Sequence, residues 1–193
     1  MSSHPDLHDL ARVLKPCRGS GEGAPGDLAG IAEAERRLGI RLPSDYIAFI
    51  ETYGAGEVGE DSMGIPQPYN ESEGSDLVSM AELFWEQAPA AFTRYLPAGM
   101  DPRKLIRWGF TSDCLHLFWV ITSDDSNEWP VADLQEDGGP FTVHNSGFAA
   151  FLKHHRTKAS DEAGEPVQFI HWREYDRLME RGINPAAGLY WNH

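Results

Sequence analysis

Two residues of the chain, Cys114 and His116, have the types needed for a nucleophile and its base. Catalysis by a cysteine requires a base within hydrogen-bond reach and a third group that orients the base. The two residues lie two apart where a turn enters an apolar segment, and on a regular strand that spacing places both side chains on one face. No nucleophile-elbow motif surrounds them. A hydrolase site at this pair is therefore the alternative, and a buried cysteine beside a hydrogen-bonded histidine is the simpler interpretation.

Histidines are the candidate metal ligands, namely His144, His154 and His155 with nearby carboxylates. The adjacent pair diverges on a helix, so both rings cannot easily bind one ion. The sequence also has no Walker loop, no dinucleotide fingerprint and no zinc-knuckle spacing. We therefore predict neither a metal site nor a cofactor.

Acidic residues form two groups, each at a position where the pattern predicts a loop: Glu57, Glu60 and Asp61, and then Asp124, Asp125 and Glu128. Paired carboxylates carry out acid–base chemistry only where a cleft desolvates them, and in turns they are normally solvated. Binding residues tend to lie on loops that a rigid scaffold supports. We therefore interpret these six residues as a candidate partner-binding surface, and whether the two groups meet in space stays open.

The charge balance restricts the kind of partner. The chain has 30 acidic residues against 16 lysines and arginines, a formal net charge of −14. Nucleic acid and anionic membranes need a basic footprint, so neither is expected as a direct partner. A basic protein would be attracted by long-range steering. The alternative is that the acidity serves solubility alone.

The composition predicts a cytoplasmic globular protein of 193 residues, either one large domain or one domain with additions. No window approaches the roughly 20 apolar residues that cross a bilayer, and the N-terminus lacks a basic-then-apolar signal. The two cysteines, Cys17 and Cys114, are far apart and are predicted to be free thiols in a reducing cytosol. The oligomeric state is not indicated.

Residues 27–54 are predicted to form two helices joined by a corner at Pro43. In the first helix, Asp27 is the predicted cap, Gly39 the stop, and the inward stripe comprises Leu28, Ile31, Glu35 and Leu38. The second helix starts at Pro43 or Ser44 and ends at Gly54, with an apolar face that includes Tyr46 and Phe49. We expect Tyr46, Phe49 and Trp119 to be buried.

The second half of the chain predicts a sheet, with strands over 104–110, 115–121, 129–133 and 141–144. Residues 115–121 are apolar on both faces apart from one histidine, which is typical of a central strand covered on both sides. Before the sheet, a capping box at Ser79 and Glu82 predicts the start of a helix that Pro89 ends. The alternative is an earlier start that includes Leu77 and Val78. After the sheet, Asn145 or Ser146 is predicted to cap a helix that runs to about residue 155.

Both ends of the chain are predicted to lie outside the central domain. Residues 1–26 comprise a short helix, interpreted as an appendage or lid, and a flexible glycine-rich linker. Residues 156–193 form a C-terminal helical extension that includes a short strand from residue 167. The predicted domain occupies residues 27–155.

A helix ending in Leu-Gly is followed by an apolar pair around Leu-Pro, an Asp-Tyr with an aromatic turn, and a glycine: Ile31, Glu35, Leu38, Gly39, Leu42, Pro43, Asp45, Tyr46, Phe49, Ile50, Tyr53 and Gly54. In this motif the chain resembles the SMI1/KNR4 family of the SUKH superfamily, and the resemblance extends over residues 27–155. The order of strands and turns from residue 104 into a Phe-x-x-Phe-Leu helix is also typical of the family. Tyr53-Gly54-Ala55-Gly56 departs modestly from its usual Asn-Gly-Gly.

The resemblance implies an α+β fold, SUKH-like, with a mostly antiparallel sheet, helices packed against it, an N-terminal helical pair and C-terminal helices. It also implies a protein-binding module and not an enzyme. Many bacterial members are similar to immunity proteins, which neutralise a partner toxin by occluding its active surface, and here the expected partner is a basic toxin domain. The alternatives are a regulator or scaffold that binds an endogenous partner, and the hydrolase near Cys114 and His116.

Overall fold

The computed structural model describes residues 5–16, 28–59, 63–71, 74–92, 94–135, 139–156 and 167–185. Its helices are α1 (Pro5–Leu10), α2 (Ile31–Leu38), α3 (Ser44–Tyr53), α4 (Leu77–Ala91), α5 (Phe148–Phe151) and α6 (Trp172–Glu180). Its strands are β1 (Leu14–Pro16), β2 (Gly56–Val58), β3 (Met63–Ile65), β4 (Leu105–Phe110), β5 (Leu115–Val120), β6 (Val131–Gln135), β7 (Thr142–His144) and β8 (Val167–His171).

One eight-stranded sheet connects these strands in the order β1-β8-β2-β3-β4-β5-β6-β7. Neighbouring strands are antiparallel except β1 and β8, which are parallel. Helices α3 and α5 pack on one face, and α4 covers β4 to β6 on the other. The fold is therefore α+β with a mostly antiparallel sheet, as predicted.

The corner between α2 and α3 is held by a single carboxylate. Gly39 ends α2 in the left-handed conformation at φ 68°, and α3 begins at Ser44. Between them, Glu35 accepts a hydrogen bond from the Leu42 backbone N–H at 3.1 Å and pairs with Arg41 at 2.7 Å. The link after α2 is thus fixed to the helix that precedes it, and the predicted two-helix corner is confirmed.

The predicted inward position of Leu28 is wrong. Leu28 and Ala29 are helical, as predicted, but a turn at Gly30 separates them from α2, which begins at Ile31, and Leu28 is 38% exposed. Gly30 packs so closely that a Cβ there would lie 2.5 Å from the Tyr69 carbonyl oxygen. This close contact fixes the chain just before the helix, so the inward stripe starts later than the spacing suggested. Asp27, the predicted cap, lies outside the described residues.

Aromatic side chains fill the space between α3, α5 and the sheet. Tyr46, Phe49 and Trp119 are fully buried, as predicted. Phe148, at the start of α5, contacts three rings edge to face, with centroid distances of 5.4 Å to Tyr46, 5.3 Å to Phe49 and 4.9 Å to Trp108. Such T-shaped pairs add to the burial of their large apolar areas.

The central strand prediction is confirmed by β5. Its residues alternate between two cores, because Leu117 and Trp119 face α3 whereas Phe118 and Val120 face α4. Of the two starts considered for the covering helix, the earlier one is confirmed, because α4 begins at Leu77 and Asp76 caps it by accepting from the Ser79 N–H at 2.8 Å. The predicted end is wrong, since α4 continues past Pro89 to Ala91.

The described segments nearest to the two ends, residues 5–16 and 167–185, contribute to the sheet and core. Leu7, Leu10 and Leu14 are buried in the same cluster as the aromatic rings, so the first helix is not the separate appendage that was predicted. Strand β8 lies between β1 and β2. The boundaries of the predicted three-part division, 1–26, 27–155 and 156–193, stay a prediction.

Asp45 links α3 to α5. The predicted cap of α5, Asn145 or Ser146, is wrong: Gly147 occupies that position and has no side chain to accept a hydrogen bond. Asp45 supplies the acceptor instead, bonding the Ala149 N–H at 3.0 Å and the Tyr46 N–H at 2.8 Å. Only 7% of Asp45 is exposed, so its loss would leave buried donors without a partner.

Replacing Phe49 with alanine should lower the free energy of unfolding by about 3–5 kcal/mol, because the change removes a buried ring and leaves a cavity. Urea denaturation of both proteins measures this difference. Thr52→Ala, an exposed change on the same helix, is the control and should shift stability by less than about 0.5 kcal/mol. A Phe49→Ala variant that unfolds at the parent's midpoint would contradict the packing of α3.

Asp45→Ala should cost about 2–3 kcal/mol, since it leaves two buried backbone donors unpaired and removes the cap of α5. The measurement is again urea denaturation, with Glu51→Ala as the exposed control on the same helix. Equal losses for the two variants would mean that the carboxylate at position 45 does not support α5.

Candidate functional site

Residues 122–128, here called the acidic loop, connect β5 to β6 and have a defined internal structure. Asp125 accepts hydrogen bonds from the Asn127 backbone N–H at 3.0 Å and from its side-chain amide at 2.9 Å. These bonds cap a 3₁₀ turn over Ser126–Glu128. The Trp129 indole then donates to the Ser123 carbonyl at 2.8 Å. The loop is therefore held by its own polar groups and by the buried Trp129.

Helix α3 fixes the acidic loop to the rest of the fold. The Asn127 side-chain oxygen accepts from the Ser44 backbone N–H at 2.9 Å and from the Ser44 hydroxyl at 2.6 Å. Backbone N–H groups at a helix start otherwise lack partners, so this contact satisfies one of them. The position of the loop thus follows from the position of α3.

The carboxylates of the loop remain uncompensated. Asp124, Asp125 and Glu128 are exposed, and none forms an ion pair with another described residue. Arginines on α2 and just after it pair elsewhere, Arg36 with Glu33 and Arg41 with Glu35. Three negative charges within one short loop therefore face solvent together.

Two clefts adjoin the acidic loop and share Trp129. The first cleft has a volume of about 680 Å³ and lies between α2 and the end of β5, and the residues that line it include Arg36, Ile40, Arg41, Ile121 and Asp124. The second cleft, of about 450 Å³, lies between the loop and the start of α5, beside Glu128, Asn145 and Ser146. The sequence did not indicate the first cleft, because its two walls are about 80 residues apart in the chain.

Glu57, the first residue of the first acidic group, does not lie in the expected solvated loop. Glu57 lies in β2, is 7% exposed, and faces Tyr175 of α6. Burial raises the pKa of Tyr175, and the Glu57 charge raises it further. Glu60 and Asp61 lie outside the described residues.

Glu57 is also remote from the acidic loop. It pairs with Gly64, and Gly64 pairs with Phe110 at one end of β4. The loop follows Val120, which is opposite Leu105 at the other end of β4. Five residues along a strand correspond to about 17 Å. Asp124, Asp125 and Glu128 therefore form one surface without Glu57, and its role in partner binding stays a prediction.

Cys114 and His116 lie in unlike surroundings. Cys114 is exposed, contrary to the predicted burial, and adopts φ 62° in the turn before β5. His116 is 6% exposed and packs edge to face on Phe92 at 5.2 Å. Burial lowers the His116 pKa to about 4, and the Arg107 charge lowers it as well. The imidazole is therefore neutral at pH 7 and belongs to the core beneath α4.

His144 pairs with a carboxylate that the sequence did not suggest. Its Nε2 lies 2.6 Å from Asp133 Oδ2, and its ring contacts Phe151 at 5.1 Å. The two residues come from β6 and β7, so only the strand register brings them together. Throughout the described ranges, no group of three or more His, Cys, Asp or Glu side chains could hold a metal ion.

Together these features describe an α+β domain that presents a rigid acidic loop between two clefts, an arrangement suited to binding another protein. The chain belongs to the SMI1-KNR4 family, because a SUKH family model described as SMI1-KNR4 cell-wall matches residues 29–152, well over half of the chain. Membership indicates an immunity-type or binding module of a generally non-catalytic family. No curated protein matches the chain. No helix in the described part is long and apolar enough to cross a membrane.

The buried neutral imidazole predicts a specific dependence of stability on pH. The folded pKa of His116, about 4, lies below the ordinary value of 6.5, so the unfolded chain takes up the proton first as pH falls. The contribution of the neutral His116 ring to the free energy of unfolding is complete above pH 6.5 and is lost between about pH 6.5 and 4. Over that window the parent should lose on the order of 2 kcal/mol more than His116→Phe, which keeps an aromatic ring but cannot titrate.

Urea denaturation at several pH values measures this difference. Thr52→Ala, an exposed change that removes no titratable group, is the control and should retain the parent's pH dependence. If His116→Phe and the parent lose stability in parallel down to pH 4, His116 is not held neutral in the fold.

Proposed function

We propose that this protein is a cytoplasmic immunity-type inhibitor, without catalytic activity, that neutralises a cognate toxin by covering its active surface. The observation that supports the proposal is the acidic loop, in which three exposed carboxylates form no ion pair with any other described residue and a hydrogen-bonded turn holds the loop in place. Family membership supports the binding role in general. The partner is a basic protein domain.

Electrostatic attraction is the mechanism by which the protein would bind and cover its partner. A formal net charge of −14 attracts a basic partner over long distances, and the loop adds a local concentration of carboxylates to which the partner's lysines and arginines bind. A toxin that acts on nucleic acid needs a basic surface to hold phosphates. Carboxylates placed on that surface would occupy the same positions and exclude the substrate. Because the loop is already ordered, binding costs little conformational entropy.

A second candidate is a regulatory or scaffold protein that binds an endogenous partner. The cell-wall description of the matching family model favours it. The two candidates use the same acidic loop and differ in the partner. Co-expression with the protein encoded by the adjacent gene distinguishes them: an immunity protein restores growth when that protein is toxic, and a regulator does not.

Removing the loop charges should slow association with a basic partner. In Asp124→Asn/Asp125→Asn/Glu128→Gln the asparagine at position 125 still offers an oxygen to the turn, so the melting temperature should change little. At low salt the association rate constant should fall about tenfold, and the difference should shrink near physiological salt, where the Debye length is about 8 Å. Surface plasmon resonance with the co-expressed partner measures these rates.

The matched control is Glu51→Gln/Glu86→Gln/Glu180→Gln, which removes three exposed carboxylates elsewhere and changes the net charge equally. If both triple variants slow association by the same factor, net charge matters and the acidic loop does not. If the association rate constant changes neither with salt nor in the acidic-loop variant, the acidic loop is not the binding surface.

A further inference from the structure

The first cleft combines an apolar floor with charged walls of both signs. Ile40 and Ile121 are only partly buried, and each packs against the main core together with Trp129. The floor is therefore rigid, because the residues beneath it are fully packed. A cleft of about 680 Å³ is within the usual range for binding pockets.

One wall of the cleft is basic. Arg41 is paired with Glu35 through one guanidinium nitrogen at 2.7 Å, and 85% of its side chain remains exposed. Its other N–H groups can donate to a ligand, since a guanidinium has five donors in a fixed plane. Glu35 holds the guanidinium in place because it is itself bonded to the Leu42 backbone at 3.1 Å.

The opposite wall is acidic. Asp124, the first carboxylate of the acidic loop, lines the cleft and is exposed, with no ion pair among the described residues. A cation brought into the cleft would meet this carboxylate next to an apolar floor, where the lower local dielectric strengthens the attraction.

We propose that the first cleft binds an extended segment of the protein partner in which an aliphatic side chain is adjacent to a lysine or arginine. The aliphatic side chain packs on Ile40 and Ile121, the cation pairs with Asp124, and backbone carbonyls of the segment accept from Arg41. This inference rests on the proposed function, since it identifies what part of a basic partner enters the cleft.

Charge complementarity favours this occupant over the others. A purely apolar segment would desolvate Arg41 and Asp124 without giving either a partner, which is costly. An acidic segment would be repelled by the acidic loop. A second copy of this chain carries the same net charge of −14 and would also be repelled. An extended basic segment with one apolar side chain gives the apolar floor a packing partner and gives both Asp124 and Arg41 a polar partner.

Phage-displayed random heptapeptides provide a probe that needs no identified partner. The full-length protein is used for selection, and peptides that also bind Ala32→Trp are removed. Ala32 is an exposed residue of α2 that lines the cleft, so a tryptophan there fills the cleft without entering the core. Ala150→Trp, at an exposed position of α5 that lines neither cleft, is the matched control.

The enriched heptapeptides should share an aliphatic residue next to lysine or arginine. By fluorescence polarisation, a synthetic peptide of that sequence should bind Ala32→Trp at least about tenfold more weakly than the parent or Ala150→Trp. Asp124→Asn should lower the affinity for the same peptide about three- to tenfold. This variant should also bind the peptide and a version with norleucine in place of the basic residue with equal affinity.

Three results would overturn the inference: no enrichment over the cleft-filled variant, a consensus without a basic residue, or equal affinity for Asp124→Asn and the parent. Dimers of the parent that Ala32→Trp abolishes would also overturn it, because a second copy would then be the occupant. The proposed function is tested separately, by growth protection in co-expression. If Ala32→Trp still protects cells while the acidic-loop variant does not, the cleft inference fails and the inhibitor function stands.

Discussion

The packing of Phe148 is the constraint on which the rest of the structure depends. Its ring lies where α3, α5 and the sheet meet, and it contacts Tyr46, Phe49 and Trp108 edge to face. The Asp45 carboxylate of α3 bonds the backbone one residue after Phe148, which places α5 against α3. Because α3 is fixed, the hydrogen bond from Ser44 at its start to Asn127 also fixes the position of the acidic loop. The surface available to a partner is thus a consequence of the aromatic core.

Local patterns predicted the elements that local physics determines. The start of α3, the left-handed Gly39 and the doubly covered strand β5 all follow from neighbouring residues, because proline, glycine and apolar runs act within a few positions. Long-range contacts account for the errors. Gly30, where a turn separates the exposed Leu28 from α2, packs on Tyr69, and α5 is capped by Asp45, which lies about 100 residues earlier. No window of sequence contains either pair.

The candidate site likewise combines features that neighbouring residues determine with features that only long-range contacts produce. Asp124, Asp125 and Glu128 are visible as a cluster of charges in the sequence, and the structure keeps them on one short loop, in which Asp125 caps a turn that ends at Glu128. Glu57 was grouped with loop residues, yet its partners in β3 and β8 make it part of the sheet. The first cleft, between Arg41 and Asp124, arises only after folding. The sequence therefore predicted the charges of the acidic loop, but it did not predict the shape of the cleft beside that loop.

Charge and shape act over different distances, and in the proposed binding mode this difference gives separate roles to the acidic loop and the first cleft. Exposed carboxylates attract a basic partner from about a Debye length away and so affect mainly the rate of association. An apolar floor acts only in contact, so it affects mainly the rate of dissociation. Asp124 belongs to both, because it is part of the loop and lines the cleft. A basic residue drawn in by the loop would thus already lie beside the floor on which its aliphatic neighbour packs.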